Sequence, residues 1–167
     1  MQTKEAHIYA IGDVIGEYQL AHVASHEGIL AVEHMAGNEV HPIHSLHIPR
    51  CIYSRPEVAS MGYTEKEAIQ VGFDVKVGKF PFRGIGKALV FGEIDGFVKL
   101  ISDKKTDDLL GIHIVGPHAT ELISKGGLAK LLDATAWEVA NVMYPHPTLS
   151  EVYGEVALSM EGKAIHI

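Results

Sequence analysis

Tyr144-Pro145-His146-Pro147-Thr148-Leu149-Ser150-Glu151 places an imidazole between two prolines, with a carboxylate five residues on. An imidazole beside a carboxylate is the commonest general base near neutral pH, because the acid selects the ring tautomer and stabilises the cation formed on proton uptake. Proline on both sides removes two backbone donors and restricts the chain, so His146 is held rather than left to wander. The same residues also fit a purely structural role. Thr148 and Glu151 have the spacing of a helix capping box, with the glutamate at the third helical position reaching back to the cap's N–H. On residue pattern alone capping is the simpler reading of Glu151, and among eleven histidines some fall near acids by chance.

A second candidate is Gly12-Asp13, which closes the apolar run His7-Ile8-Tyr9-Ala10-Ile11. That run predicts a buried strand stopping at a turn. A carboxylate at the C-terminal edge of an α/β sheet can accept bonds from the hydroxyls of a sugar-like cofactor chain, whereas an aspartate bonded to a neighbouring N–H is an even alternative. A helix opening near Gln19-Leu20-Ala21-His22 would aim its free N–H groups at an anionic or electron-rich ligand. Zinc needs three or four converging ligands, and neither His22 with His26 nor His41, His44 and His47 predicts such convergence, so no metal is expected. Gly84-Ile85-Gly86-Lys87-Ala88-Leu89 begins like a dinucleotide fingerprint but follows Pro81 and lacks a βαβ setting, which leaves a loop.

These residues must be carried by elements of both periods. Leu20, Val23, Ala24, Leu30, Ala31 and Met35 recur at helical spacing between Tyr18 and Ala36, and Gly37-Asn38 supplies a left-handed stop. Residues 40–49 carry neither period and read as a connector. Cys51-Ile52-Tyr53 and Val58-Ala59-Ser60-Met61 predict strands interrupted at Arg55-Pro56, an edge or a bend. Thr64-Glu65-Lys66-Glu67 opens a short helix ended by Gly72, and Phe73 to Phe82 alternates as a strand. Asp95-Gly96 predicts a hairpin joining a strand around Val90-Phe91 to Phe97–Ile101, with a further strand over Leu109–Val115. Helices follow over Glu121–Leu132, from Thr135 with Glu138 to about Val142, and from Thr148 to about Met160. Strands in a block and then helices in a block predict an α+β fold, a mostly antiparallel sheet with helices packed on one face.

The 167 residues, 47% hydrophobic, suffice for one domain with an appendage. Fourteen basic against 21 acidic residues give a net charge of −7, which argues against nucleic acid or an anionic membrane as partner. No apolar run approaches a bilayer span and no signal-peptide core follows Met1, so a cytoplasmic location is expected. Cys51 is the only cysteine, so no internal disulfide or Cys-Cys redox pair can form.

Six stretches, in order, resemble the C-terminal portion of the dihydrolipoamide dehydrogenases, within the pyridine nucleotide-disulfide oxidoreductases. They are Tyr9–Val14, the helix opening at Gln19-Leu20-Ala21-His22, Arg55–Gly62, Lys79-Phe80-Pro81-Phe82, Leu110–Pro117 and His146–Glu151. The resemblance implies FAD and NAD as cofactors of a full-length parent, with neither stably bound by this chain alone. It implies Gly12 and Asp13 at the FAD ribityl chain, Gln19 to His22 near the flavin, His146 as catalytic base and Glu151 as its orienting carboxylate. It implies a homodimer serving the lipoyl domains of 2-oxo acid dehydrogenase-type complexes, His146 reaching toward the partner's flavin and redox disulfide. Residues 1–37 would be a remnant of the FAD-binding domain, 38–48 a connector and 49–167 the interface domain. The family's Gly-rich FAD fingerprint, its Cys-x-x-x-x-Cys disulfide and its NAD-binding domain are missing, so the chain alone is expected to be inactive. Tyr144 stands where the family commonly has another histidine. The alternatives are the same portion of a sister flavoprotein disulfide reductase, or a non-catalytic α+β interaction module.

Overall fold

The computed structural model describes residues 1–166, and its chain separates into two compact units, Met1–Ser45 and Leu46 onward. In the first unit α1 spans Ala21–Met35 and buries Val23, Glu27 and Ala31. It ends as its sequence dictates: Gly37 takes φ +82°, the Asn38 N–H donates to Glu33 O and the Gly37 N–H to His34 O. That is the six-to-one and five-to-two pattern that closes a helix on a left-handed residue.

The second unit is built on five strands: β1 (Arg50–Ile52), β2 (Glu57–Gly62), β3 (Val75–Pro81), β4 (Phe97–Asp103) and β5 (Leu109–Gly116). They form one antiparallel sheet in the order β1-β2-β5-β4-β3. The three-residue β1 is an edge strand, as Arg55-Pro56 predicted. Five helices accompany the sheet in this unit: α2 (Glu65–Gln70), α3 (Gly86–Phe91), α4 (Ala119–Leu131), α5 (Ala136–Asn141) and α6 (Glu151–Ser159).

Alternation along the strands sends Ala59, Met61, Phe80, Val98, Leu100, Ile112 and Ile114 to one face, where they form the main core with Leu122, Ile123, Val139, Val152 and Val156 of α4, α5 and α6. Burying each large aliphatic there contributes about 1.5–3 kcal/mol. Gly126 explains how α4 tolerates its glycine pair: a Cβ at that position would stand 2.4 Å from Ile112 Cδ1, so the hydrogen lets the helix lie close on β5. A β-bulge shifts the β4–β5 register beyond Ile101. It turns Leu110 to the opposite face from Ile112, onto a smaller core with Ala68 of α2 and Ile101. Helices therefore cover mainly one face, with the short α2 on the other.

The capping boxes at Thr64/Glu67 and Thr135/Glu138 form in full. Four local expectations change. Residues 7–11 make only an isolated bridge, Gln2 to Tyr9, and Ile8 and Ile11 are exposed; a strand needs a ladder of neighbours, and none lies in this unit. Val90 and Phe91 belong to α3, not to a strand, and residues 82–91 fold as a 3-10 turn followed by that helix, not as a loop. The link from β3 to β4 is thus helical, with Gly96 at φ +113°, where a Cβ would stand 1.9 Å from Val115 O. The last helix starts at Glu151, three residues after Thr148.

Candidate functional site

α6 is buried on nearly every side through Val152, Tyr153, Gly154, Glu155, Val156 and Ala157, so its first turn is rigidly placed. The loop before it is pinned from both sides. The Tyr144 hydroxyl donates to Val139 O at 2.9 Å, and the Tyr144 ring lies on Gly154, where a Cβ would come within 3.2 Å. Burial pushes the Tyr144 phenol up to about 12. The His146–Pro147 peptide is cis.

On this support His146 Nδ1 lies 2.9 Å from Glu151 Oε1, while Glu151 Oε2 accepts the Thr148 N–H at 2.9 Å. One carboxylate therefore orients the imidazole and satisfies an amide at the helix entrance. The capping box itself is half made: the Thr148 hydroxyl donates to Pro145 O, the N-cap position falls on Ser150 with no side-chain cap bond, and Glu151 is the first helical residue instead of the third. An acid in the first turn also complements the helix dipole. Burial raises the Glu151 carboxyl, but the bonds from Thr148 and His146 outweigh it and hold the group below the usual carboxylate range. Glu151 is thus ionised at neutral pH. The ionised acid takes the Nδ1 proton as its bond, which leaves Nε2 as the basic nitrogen on a ring whose side chain is 74% exposed.

Asp13 follows Gly12 in a 3-10 turn over Gly12–Ile15 and is exposed. Gly12 has φ +72°, a Cβ there would meet Ala24 Cβ at 3.3 Å, and its N–H donates to the buried Glu27 at 2.6 Å. Gln19 takes φ +45° immediately before α1, and Leu20 caps that helix by conformation only. Leu20 makes no side-chain cap bond, and the first turn, which includes Ala21 and His22, holds no acid. A close glycine turn, an exposed carboxylate and a helix start with no acid in its first turn fit part of a flavin dinucleotide's polar chain. Gly84–Leu89 is turn and short helix, so that stretch does not form the glycine-rich strand-to-helix turn of a dinucleotide fingerprint.

Among the described residues no three His, Cys, Asp or Glu side chains could hold a metal, and no helix is long and apolar enough to cross a membrane. Burial, then Glu57 and Glu121, push the Cys51 thiol up, the reverse of an activated nucleophile. A cleft of about 710 Å³ lined by Tyr53, Arg55, Glu57, Glu93 and His118, among others, shares no residue with 144–151. The sequence reading missed the groups that brace α6: Lys125 Nζ on Ser150 Oγ at 2.5 Å, and the Tyr153 hydroxyl on Leu122 O at 2.7 Å. It also missed a second His–Glu contact, His166 with Glu155 at 2.8 Å. All three join residues far apart in sequence, without a local pattern to reveal them.

Residues 48–157 match the pyridine nucleotide-disulphide oxidoreductase dimerisation domain. A dihydrolipoyl dehydrogenase of Bacillus subtilis is 66% identical over 165 residues, 99% of this chain and 35% of that protein. The dihydrolipoyl dehydrogenase of Zymomonas mobilis is 47% identical over 166 residues, 99% of this chain and 36% of that protein. The crystal structure of LpdA from Mycobacterium tuberculosis superposes with a TM-score of 0.85 at 30% identity, over 91% of this chain and 33% of that one. The Escherichia coli flavoprotein disulfide reductase RclA shares the fold at 22% identity, with a TM-score of 0.86 over 92% of this chain and 36% of that one. The chain thus spans little more than a third of the length of the curated relatives it matches. With the match running from β1 into α6, across most of the sequence, the chain belongs to the pyridine nucleotide-disulphide oxidoreductase dimerisation-domain family.

Proposed function

We propose that this chain is the interface portion of a dihydrolipoyl dehydrogenase and that His146 and Glu151 are its general-base pair. The observation that carries the reading is the pair itself: an ionised Glu151 bonded to Nδ1 at 2.9 Å, with the other ring nitrogen on an exposed edge. A thiol with a pKa near 8.5 is only a few per cent thiolate at neutral pH. His146 Nε2 takes the proton of a dihydrolipoamide S–H, Glu151 steadies the imidazolium, and the thiolate is freed to attack a disulfide. That disulfide lies outside this chain, whose one cysteine cannot form it. In the holoenzyme FAD would receive the electron pair and NAD would carry it away. Gly12, Asp13, Gln19, Leu20, Ala21 and His22 are the residues proposed to touch FAD, in a segment left over from a flavin-binding domain.

Pairing of two copies completes the proposal. Leu128, Leu131, Leu132, Trp137 and Met143, on and after α4 and α5, are each more than half exposed and offer apolar surface for it. The exposed imidazole then faces a site completed by other residues, which is why the chain alone is proposed to be inactive. Its holoenzyme is proposed to act on lipoyl domains in the cytoplasm. The test is His146→Gln in a dihydrolipoyl dehydrogenase holoenzyme carrying this segment. Loss of a positioned base lowers kcat with dihydrolipoamide by roughly 10²–10⁴-fold, and unchanged turnover would refute the assignment.

A further inference from the structure

Glu27 sits in α1 with 6% of its surface exposed, and it reaches out of its own helix: the Gly12 N–H, 15 residues back in the chain, donates to Oε2 at 2.6 Å. A buried carboxyl is costly unless bonded, and an apolar residue commonly fills such a place as well or better, so packing does not account for a glutamate here. The bond does. Gly12 opens the 3-10 turn Gly12–Ile15, and its N–H is one of the donors that a helix start leaves without an internal partner; Ile11 before it supplies no side-chain cap. Ala24, Glu27 and Gly28 are spaced three and four residues from Ala24, on one face of α1. All three meet the turn. A Cβ at Gly12 would stand 3.3 Å from Ala24 Cβ and one at Gly28 3.3 Å from Ile11 Cδ1, so two small residues let the chain lie close on the helix while the glutamate takes the amide. The Gly16 N–H closes the far end of the turn on Asp13 O at 3.1 Å. Backbone bonds on either side thus hold Asp13, whose side chain is exposed.

We propose that Glu27 is a positioning residue for the flavin contact: by binding the Gly12 amide from α1 it fixes where the Asp13 carboxylate is presented. The flavin part rests on the reading of Gly12 and Asp13 as FAD contacts; the hold of Glu27 on the turn does not. Because Glu27 occupies the Gly12 N–H, Gly12 serves the cofactor by having no side chain and not as a donor. Asp13 is left as the side-chain acceptor of the turn. The same bond sets the spacing between that acceptor and the start of α1, since Glu27 belongs to the helix whose first turn holds Ala21 and His22. Hydrogen bonds keep their strength over only a few tenths of an ångström, so a turn that shifts by about 1 Å loses the Asp13 contact.

The test compares E27M, which keeps the side chain's length and helix propensity without a strong acceptor, with E27Q, whose amide oxygen can still take the Gly12 N–H. In the 167-residue chain, exchange of the Gly12 amide followed by NMR should quicken roughly fivefold to tenfold in E27M and little in E27Q, while the sheet amides keep their protection. In a dihydrolipoyl dehydrogenase holoenzyme carrying this segment, stripped of FAD and titrated with it, flavin fluorescence should show E27M binding roughly tenfold more weakly than wild type and E27Q within about threefold of it. D13A should weaken FAD by roughly tenfold or more. E27M added to D13A should then cost less than about threefold further, because the group it positions is gone, whereas the losses multiply if Glu27 only packs. Gly12 exchange alike in wild type and E27M, or losses that multiply, overturns the proposal. If E27M does not fold, a wild-type chain with no scalar coupling between the Gly12 amide nitrogen and the Glu27 carboxyl carbon overturns it. Unchanged FAD affinity in D13A would instead defeat the flavin reading of Asp13 and leave the Gly12 measurements standing.

Discussion

Replacing Glu151 with glutamine keeps the shape of the side chain and reverses the chemistry of half of it. The carboxylate offers two acceptor oxygens, one to the Thr148 N–H and one to His146 Nδ1, both at 2.9 Å. Glutamine has one acceptor and one donor. The Thr148 amide can only donate, so it takes the amide oxygen, and the NH₂ group is turned to Nδ1. The ring then accepts at Nδ1 and carries its proton on Nε2, the exposed nitrogen that must be free to take a proton from the thiol. Turnover of the holoenzyme should therefore fall by roughly 10²–10⁴-fold, the value of a positioned base. The stability cost is small. The bond to Thr148 changes from charged to neutral, worth about 1 kcal/mol, and the bond to a mostly exposed His146 adds little. Steady-state kinetics with dihydrolipoamide, beside thermal unfolding, separates the two effects. Because the residues act as a unit, H146Q/E151Q should be no slower than H146Q. An E151Q enzyme with ordinary turnover, or a double variant in which the losses multiply, would refute the tautomer argument.

Gly78→Ala should destabilise the second unit by about 1–3 kcal/mol or more, because its Cβ would stand 2.4 Å from Met160 Cγ and 2.5 Å from Val156 O, forcing β3 from α6; an unchanged melting temperature would contradict that packing. Glu151 is depressed in the folded chain, so the unfolded chain binds more protons in the acid range. The stability it contributes is present above the ordinary glutamate pKa and lost as pH falls through the folded value; E151Q should flatten the acid side of a stability-against-pH curve. Tyr144 is raised to about 12, so its contribution is intact below the ordinary tyrosine pKa near 10 and fades as pH rises from there toward 12. Y144F should lessen the alkaline loss. Sedimentation of the 167-residue chain should show self-association, and a monomer at high concentration would count against pairing through α4 and α5.

Features whose partners lie within a few residues were legible from the amino acids alone. The Thr64/Glu67 and Thr135/Glu138 boxes, the Gly37 stop of α1 and the alternation of β3 each depend on side chains that meet their own neighbours. His146 with Glu151 was legible as two readings, and distance in space was needed to find that one carboxylate bonds both the imidazole and the Thr148 N–H. The failures share a cause. Thr148 and Glu151 carry the letters of a capping box, yet the Thr148 hydroxyl is taken by Pro145 O and the helix begins later. Val90 and Phe91 have strand character, but no strand lies beside them and a left-handed Gly92 closes them into α3. His7–Ile11 looks like a strand and has no ladder to join. What tertiary structure alone decided was the strand order, the bulge that turns Leu110 to the far face, and the return of the tail onto Glu155. Those depend on which distant surfaces exclude water together, and no local spacing encodes that.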